Sequence, residues 1–163
     1  MKKIAGLALA LGLTIQGPGA VLAATATSSF TVQITLTSQC IFSSATPTLN
    51  FGTQGVLAAA VDATTTMNVQ CTNTTPYTIG LNAGAGSGAT IAARKMTNGT
   101  ATVTYSLYQD AGRASLWGDT GAQLVSGAGN GSPQAFTIYG RAPAQATGAP
   151  GVYTDTITAT ITY

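Results

Sequence analysis

Histidine and glutamate are both missing from this 163-residue chain, and charged residues of any kind make up only 6% of it. Without an imidazole, no Ser-His-Asp or Cys-His unit can be built, and the side chain that most often serves as general base or metal ligand is unavailable. The acids are Asp62, Asp110, Asp119 and Asp155. Each stands at or near a turn signal or a strand start, where aspartate bends and caps backbone, so a carboxylate pair for glycoside hydrolysis is not expected. The net charge of +2 includes Lys2 and Lys3 at the N-terminus, and no basic stripe remains to neutralise phosphates, which excludes nucleic acid as a partner. Arg94 and Lys95 form the only adjacent basic pair beyond the first residues, and two such charges read as a solvated loop. The Gly84-Ala85-Gly86-Ser87-Gly88 run is followed by neither a Lys-Ser/Thr pair nor an amphipathic helix, so it reads as a hairpin connection, not a phosphate cradle. No catalysis and no cofactor or metal site are expected.

Long apolar runs are also scarce. The one at the N-terminus, Ile4 to Ile15, follows Lys2-Lys3 and leads through Gly17-Pro18-Gly19 to the small residues around Ala23. That order of basic, apolar and small residues is a secretory leader over residues 1–23, too short and too interrupted to span a bilayer. No membrane span is expected once it is removed. Cysteine occurs twice, at Cys40 and Cys71. In an exported protein such a pair is most simply one disulfide, and closing a loop of about thirty residues should stabilise the fold by roughly 3–4 kcal/mol through the denatured state.

What the chain has in abundance is alternation. From Ser28 to Cys40, Phe30, Val32, Ile34 and Leu36 interleave with Thr31, Gln33, Thr35 and Thr37, which gives a β-strand one apolar and one polar edge. Leu49-Asn50-Phe51-Gly52 reads as a short strand ending in a turn. Thr66 to Cys71, Pro76 to Leu81, Ala101 to Tyr108 and Gln134 to Arg141 are further strands, separated by turn residues at Asp110-Ala111-Gly112, Trp117-Gly118-Asp119 and Gly127 to Pro133. Gly151 to Tyr163 reads as one long final strand, with Ile157, Ala159, Ile161 and Tyr163 on one side and threonines on the other. Many short strands and no amphipathic helix make an all-β sandwich. The last strand has no successor to cover its edge, whereas a spare amphipathic strand stands at the start. An open edge and a spare strand together imply head-to-tail assembly, each subunit filling a groove of the next.

The ordered set Cys40, Leu49-Asn50-Phe51-Gly52, Val69-Gln70-Cys71-Thr72, Pro76-Tyr77-Thr78-Ile79, Tyr105 to Asp110, Trp117-Gly118-Asp119, Tyr139 to Pro143 and Gly151 to Thr156 resembles the spore coat U domain family, which includes subunits of archaic chaperone–usher pili. The resemblance implies an incomplete immunoglobulin-like β-sandwich lacking its final, seventh strand. It implies a periplasmic chaperone that lends a strand, an outer-membrane usher that exports the subunit, and donor-strand exchange between neighbouring subunits in a cell-surface fibre serving adhesion or biofilm formation. On this chain the donor arm would be residues 24–37, with Phe30, Val32, Ile34 and Leu36 as its buried side chains. The pilin domain would be residues 38–163, with Ile157, Ala159, Ile161 and Tyr163 along the edge of the acceptor groove. Arg141 and Asp155 match family positions and are expected in structural roles. Two other readings are a self-contained spore or cell coat protein and a carbohydrate-binding module, the latter needing Trp117 with Tyr153 or Tyr139 as an exposed platform. A tip adhesin would need a second domain for which the chain has no length.

Overall fold

The computed structural model describes residues 23–45 and 47–163, so the expected leader lies outside the described residues except for Ala23. These residues fall into two units, one ending at Thr35 and one running from Leu36 to Tyr163. In the first, the alternating stretch from Ser28 is free of any strand ladder, and Phe30, Val32 and Ile34 are 82–87% exposed. Alternation fixes which face each side chain takes, but a ladder needs a second backbone as well.

The second unit is a two-sheet sandwich with no α-helix among its described residues. Its strands are β1 (Cys40–Phe42), β2 (Val61–Cys71), β3 (Pro76–Leu81), β4 (Arg94–Asn98), β5 (Ala101–Tyr108), β6 (Val125–Ala128), β7 (Gln134–Ala142) and β8 (Ala159–Thr162). One sheet has the order β1-β2-β7-β5-β4 and the other β6-β3-β8, with every pair antiparallel. The longest ladder joins β2 to β7, from Val61 opposite Ala142 to Val69 opposite Gln134. Its period of two sends Met67 and Val69 into the core and Asp62, Thr64 and Thr66 to the outside. The core between the sheets is built from Met67, Val69, Tyr77, Ile79, Leu81, Tyr105, Leu107, Trp117 and Ile138.

Cys40 and Cys71 form the expected disulfide, and they are also register partners on β1 and β2. The covalent bond therefore fixes β1 where its own three residues of ladder are too few to hold it.

Several elements differ from the sequence reading, each for a physical reason. Residues 89–100 hold β4, which turns into β5 through Gly99-Thr100, with Gly99 at φ 61. A two-residue hairpin loop needs positive φ at its first position, which is the sequence signal for this turn. The loop expected from Gly127 begins as the end of β6. Leu49–Phe51 forms no strand, although both side chains pack against the core, and Gly52 turns at φ 73 with its N–H donated to Asn50 Oδ1. Of the long final strand only Ala159–Thr162 has a ladder. Residues 151–158 have in place of a ladder a single bridge, Thr97 to Thr154, and side-chain bonds through Asp155 and through Asn82, whose N–H donates to Thr158 O while its Oδ1 accepts the Thr158 N–H.

Candidate functional site

The sandwich is open along one side. A groove of about 740 Å³ has the Pro47–Phe51 segment as one wall and residues 152–157 with Ala159 as the other. Its floor is Met67, Leu81, Tyr105, Leu107 and Ile138, all buried core residues. Apart from Ala159 on β8, both walls are stretches whose side chains alternate inward yet whose backbones lack a ladder. The groove is therefore apolar beneath, and both of its walls are backbone without a full ladder.

The final segment sets those margins. Thr158 bonds to Asn82, beyond the end of β3, and Thr160 and Thr162 stand opposite Gly80 and Thr78 on β3. Backbone groups of successive strand residues point to opposite sides, so the N–H and C=O groups of Ile157, Ala159, Ile161 and Tyr163 face away from β3. Ile157, Ala159 and Ile161 also turn half-buried side chains onto the core, and Tyr163 is more than half exposed. Ile157 and Ala159 line the groove itself; Ile161 and Tyr163 lie along the same edge outside it. In the arm, Phe30, Val32, Ile34 and Leu36 are all exposed.

One charged group borders this apolar space. The Asp155 carboxylate accepts the Tyr105 hydroxyl at 2.7 Å and the N–H groups of Ala85 and Thr156 at 2.8 Å each. The approach is close enough that a Cβ at Gly84, which sits at φ +88, would meet the carboxylate, so Gly84 gives the loop its fit against Asp155. Phe51 meets the Tyr105 ring edge-on with 6.1 Å between centroids. Burial first, and then the bond to Asp155, pushes the Tyr105 phenol well above the ordinary tyrosine range. A raised folded-state value stabilises the fold below the unfolded value of about 10 and loses that stabilisation as pH climbs beyond it. The thermal midpoint should accordingly fall from about pH 10 upward, and Tyr105→Phe should flatten the fall at a cost of about 1 kcal/mol near neutrality. Tyr77, also raised by burial, retains part of the slope. Melting curves from about pH 8 to about pH 11 check this, and an unchanged slope in the variant refutes it.

Two sequence expectations are overturned. Trp117 is not a surface platform: it is 1% exposed, and its Nε1 donates to Ile79 O at 3.0 Å. The Trp117–Tyr153 and Trp117–Tyr139 sugar platforms therefore do not exist. Arg94 is not a solvated loop cation; it is fully buried, donating to four backbone carbonyls, while Lys95 donates to Ser87 O. Arg141 pairs with Asp62 on the outward face of the larger sheet, away from the groove side chains. Sequence reasoning did not pick out Leu49, Phe51, Met67, Tyr105 or Ile138 as groove residues. Their inward parity was readable, but not that the strip above them is uncovered.

The Spore Coat Protein U domain model matches residues 26–160. Protein U of Myxococcus xanthus is 34% identical over 155 residues, covering 86% of this chain and 87% of that protein. Among solved structures, the crystal structure of the CsuC–CsuE chaperone–tip adhesion subunit pre-assembly complex from archaic chaperone–usher Csu pili of Acinetobacter baumannii is similar in fold. The TM-score is 0.58 at 21% identity, over 79% of this chain. The present chain spans 40% of the length of the chain it matches there. No helix among the described residues is long and apolar enough to cross a membrane.

Proposed function

Since the chain belongs to the Spore Coat Protein U domain family, we propose that it is a structural, non-catalytic subunit of a surface fibre assembled by the chaperone–usher route. Residues 24–37 of one copy fill the groove of the next, with Phe30, Val32, Ile34 and Leu36 directed at its apolar floor. The backbone edge of Ile157, Ala159, Ile161 and Tyr163 takes up the main-chain bonds. Before assembly a periplasmic chaperone occupies the same groove, and an outer-membrane usher passes the subunit to the cell surface, where the fibre serves attachment or biofilm formation. The carrying observation is the pairing of an apolar groove with a free edge. A donor strand there buries four large side chains, contributing about 1.5–3 kcal/mol each, or roughly 6–12 kcal/mol together. Ladder bonds add on the order of 1 kcal/mol apiece.

A second reading has its own support. The matched family is described as a spore coat domain, and Protein U, at 34% identity, matches 86% of the chain. On that reading the chain is a self-contained coat protein and its groove needs no strand from a neighbour. A peptide of residues 28–37, added to a chain lacking residues 1–37, separates the two. A groove built for a donor should bind it, and at about a hundredfold over Kd the domain should gain about 2.7 kcal/mol and melt roughly 5–15 °C higher. The same peptide carrying Ile34→Asp should give no shift. A midpoint indifferent to both peptides would favour the coat protein.

A further inference from the structure

We propose that the outward face of the five-stranded sheet carries a binding site for acidic polysaccharide, formed by Arg141, Arg113 and the tyrosines Tyr108 and Tyr139. The inward side chains of β2, β5 and β7 floor the groove, so this site uses the opposite face of the same strands and does not depend on the fibre reading. Tyr108 on β5 and Tyr139 on β7 are direct register partners, and Arg141 lies two residues along β7 opposite Ser106. Side chains at those positions share a face. From β2, Asp62 stands opposite Arg141 and accepts from its Nε and Nη2 at 2.7 and 2.8 Å.

A second guanidinium is brought over the sheet by the turn after β5. Arg113 Nε is 3.2 Å from Asp62 Oδ1, and its guanidinium carbon is 6.0 Å from the centre of the Tyr139 ring. The placement is enforced by local backbone. Arg113 sits at φ 56, in the left-handed region that a side-chain-bearing residue adopts at a cost, and its N–H is held by Asp110 O. The Asp110 carboxylate locks the turn by accepting from the N–H groups of Ala114 and Ser115. The patch thus sets two guanidiniums against one carboxylate. Arg113 Nη2 and Arg141 Nη1 find no acceptor among the described residues.

The chemistry of this strip selects its ligand. A planar guanidinium with a free N–H edge matches a carboxylate fork to fork. Tyrosine rings offer a flat apolar face with a polar tip, suited to the C–H face of a pyranose. Arg141, its side chain 39% exposed, is the guanidinium a ligand reaches, and Arg113, 13% exposed, contributes its charge from a covered position. The strip is a sheet surface, not a concave pocket, which suits an extended chain better than a small molecule. With two guanidiniums facing one carboxylate on the sheet itself, and the Asp110 charge in the adjoining turn engaged by backbone N–H groups, a polymer of uronate sugars is the complementary partner. Repeated once per subunit along a fibre, a weak contact of this kind would gain by avidity.

Affinity electrophoresis of the chain lacking only its leader, through gels containing polygalacturonate or neutral dextran, tests the site. Polygalacturonate should retard the protein and dextran should not, and added salt should weaken the retardation. Arg141→Gln should bind about tenfold less tightly, the loss of a charge-assisted contact. Asp62→Asn should bind more tightly, because it removes the competing negative charge and releases Arg141, while Arg113 stays bonded to Gly140 O and Ala111 O. A merely structural ion pair predicts no such gain, and melting curves verify that both variants are folded. Equal retardation by dextran, an unchanged Arg141→Gln, or weaker binding by Asp62→Asn would overturn the proposal. So would single-stranded DNA binding as tightly as polygalacturonate.

Discussion

Deleting residues 24–37 should abolish the proposed fibre formation completely while leaving the chain able to form a soluble one-to-one complex with the proposed chaperone. On the proposed reading the arm is the donor and the groove is the acceptor, and only the acceptor survives the deletion. The expected size of the effect follows from the exposure of Phe30, Val32, Ile34 and Leu36, which are 80–87% accessible. Nearly all of their apolar area is available for burial, and roughly 6–12 kcal/mol of joint strength goes with it. A single change should come close to the same result. In the proposed joint, Ile34→Asp would bring an unpaired carboxylate against the groove's floor, which is built of buried core residues. Burying a charge without a partner costs several kcal/mol, enough to turn a long polymer into monomers at working concentrations. Thr35→Asp, one residue along, faces the opposite side of the strand and should polymerise almost normally. Negative-stain microscopy and size-exclusion chromatography of chaperone-released subunits give the answer. Fibres formed by the deletion variant would remove the donor role from this segment, and equal effects of Ile34→Asp and Thr35→Asp would remove the assigned facing.

Strand periodicity made much of the sandwich readable. The alternations ending at Cys71 and starting at Pro76, Ala101 and Gln134 became β2, β3, β5 and β7, and the cysteine pair became the clasp on β1. What periodicity reports is which way a side chain points. It does not report whether a neighbouring backbone exists, and that is why Leu49–Phe51 and residues 151–158 alternate like strands without forming ladders. Those two stretches are the walls of the groove. The candidate site was thus visible as two strands and found as a gap between them. β4 was hidden for another reason: Arg94-Lys95 in a short, glycine-flanked run looks like a polar loop. Only the tertiary fold makes a buried cation tolerable, by collecting carbonyls from three separate places in the sequence. Trp117 misled in the same way, because a Trp-Gly-Asp turn reads as surface. Here Gly118 lets the turn close over the core, where a Cβ would strike Gln123 and Ile91.

Arg94→Met should be among the most damaging single substitutions in the domain, costing on the order of 3–5 kcal/mol. Its guanidinium donates through Nε to Asn82 O at 2.9 Å and through Nη1 to Ile91 O at 3.1 Å. Nη2 reaches Leu81 O at 3.1 Å and Trp117 O at 2.7 Å. No carboxylate bonds to it directly, and burial pulls its pKa below the usual arginine range, with Tyr105, Asp119 and Asp155 offsetting part of that from nearby. The cation's direct hydrogen bonds are therefore all to carbonyls, and those carbonyls lose this donor when it goes. Methionine matches the stem but leaves the carbonyls dry and unpaired. Lysine keeps the charge but offers a point donor in place of a planar fork, and should still cost about 2 kcal/mol. The damage should reach the groove: Leu81 lines it, and Arg94 is the register partner of Tyr105, which holds Asp155 on the wall. Urea unfolding at constant slope should show the lost stability. Emission from Trp117, the only tryptophan, should shift to the red in the folded variant as its turn loosens. The affinity of Arg94→Lys for the arm peptide should fall along with its stability. A variant with parental urea midpoint and unshifted emission would mean that the carbonyls find other partners, and that the corner between β3, β4 and the Trp117 turn does not depend on this cation.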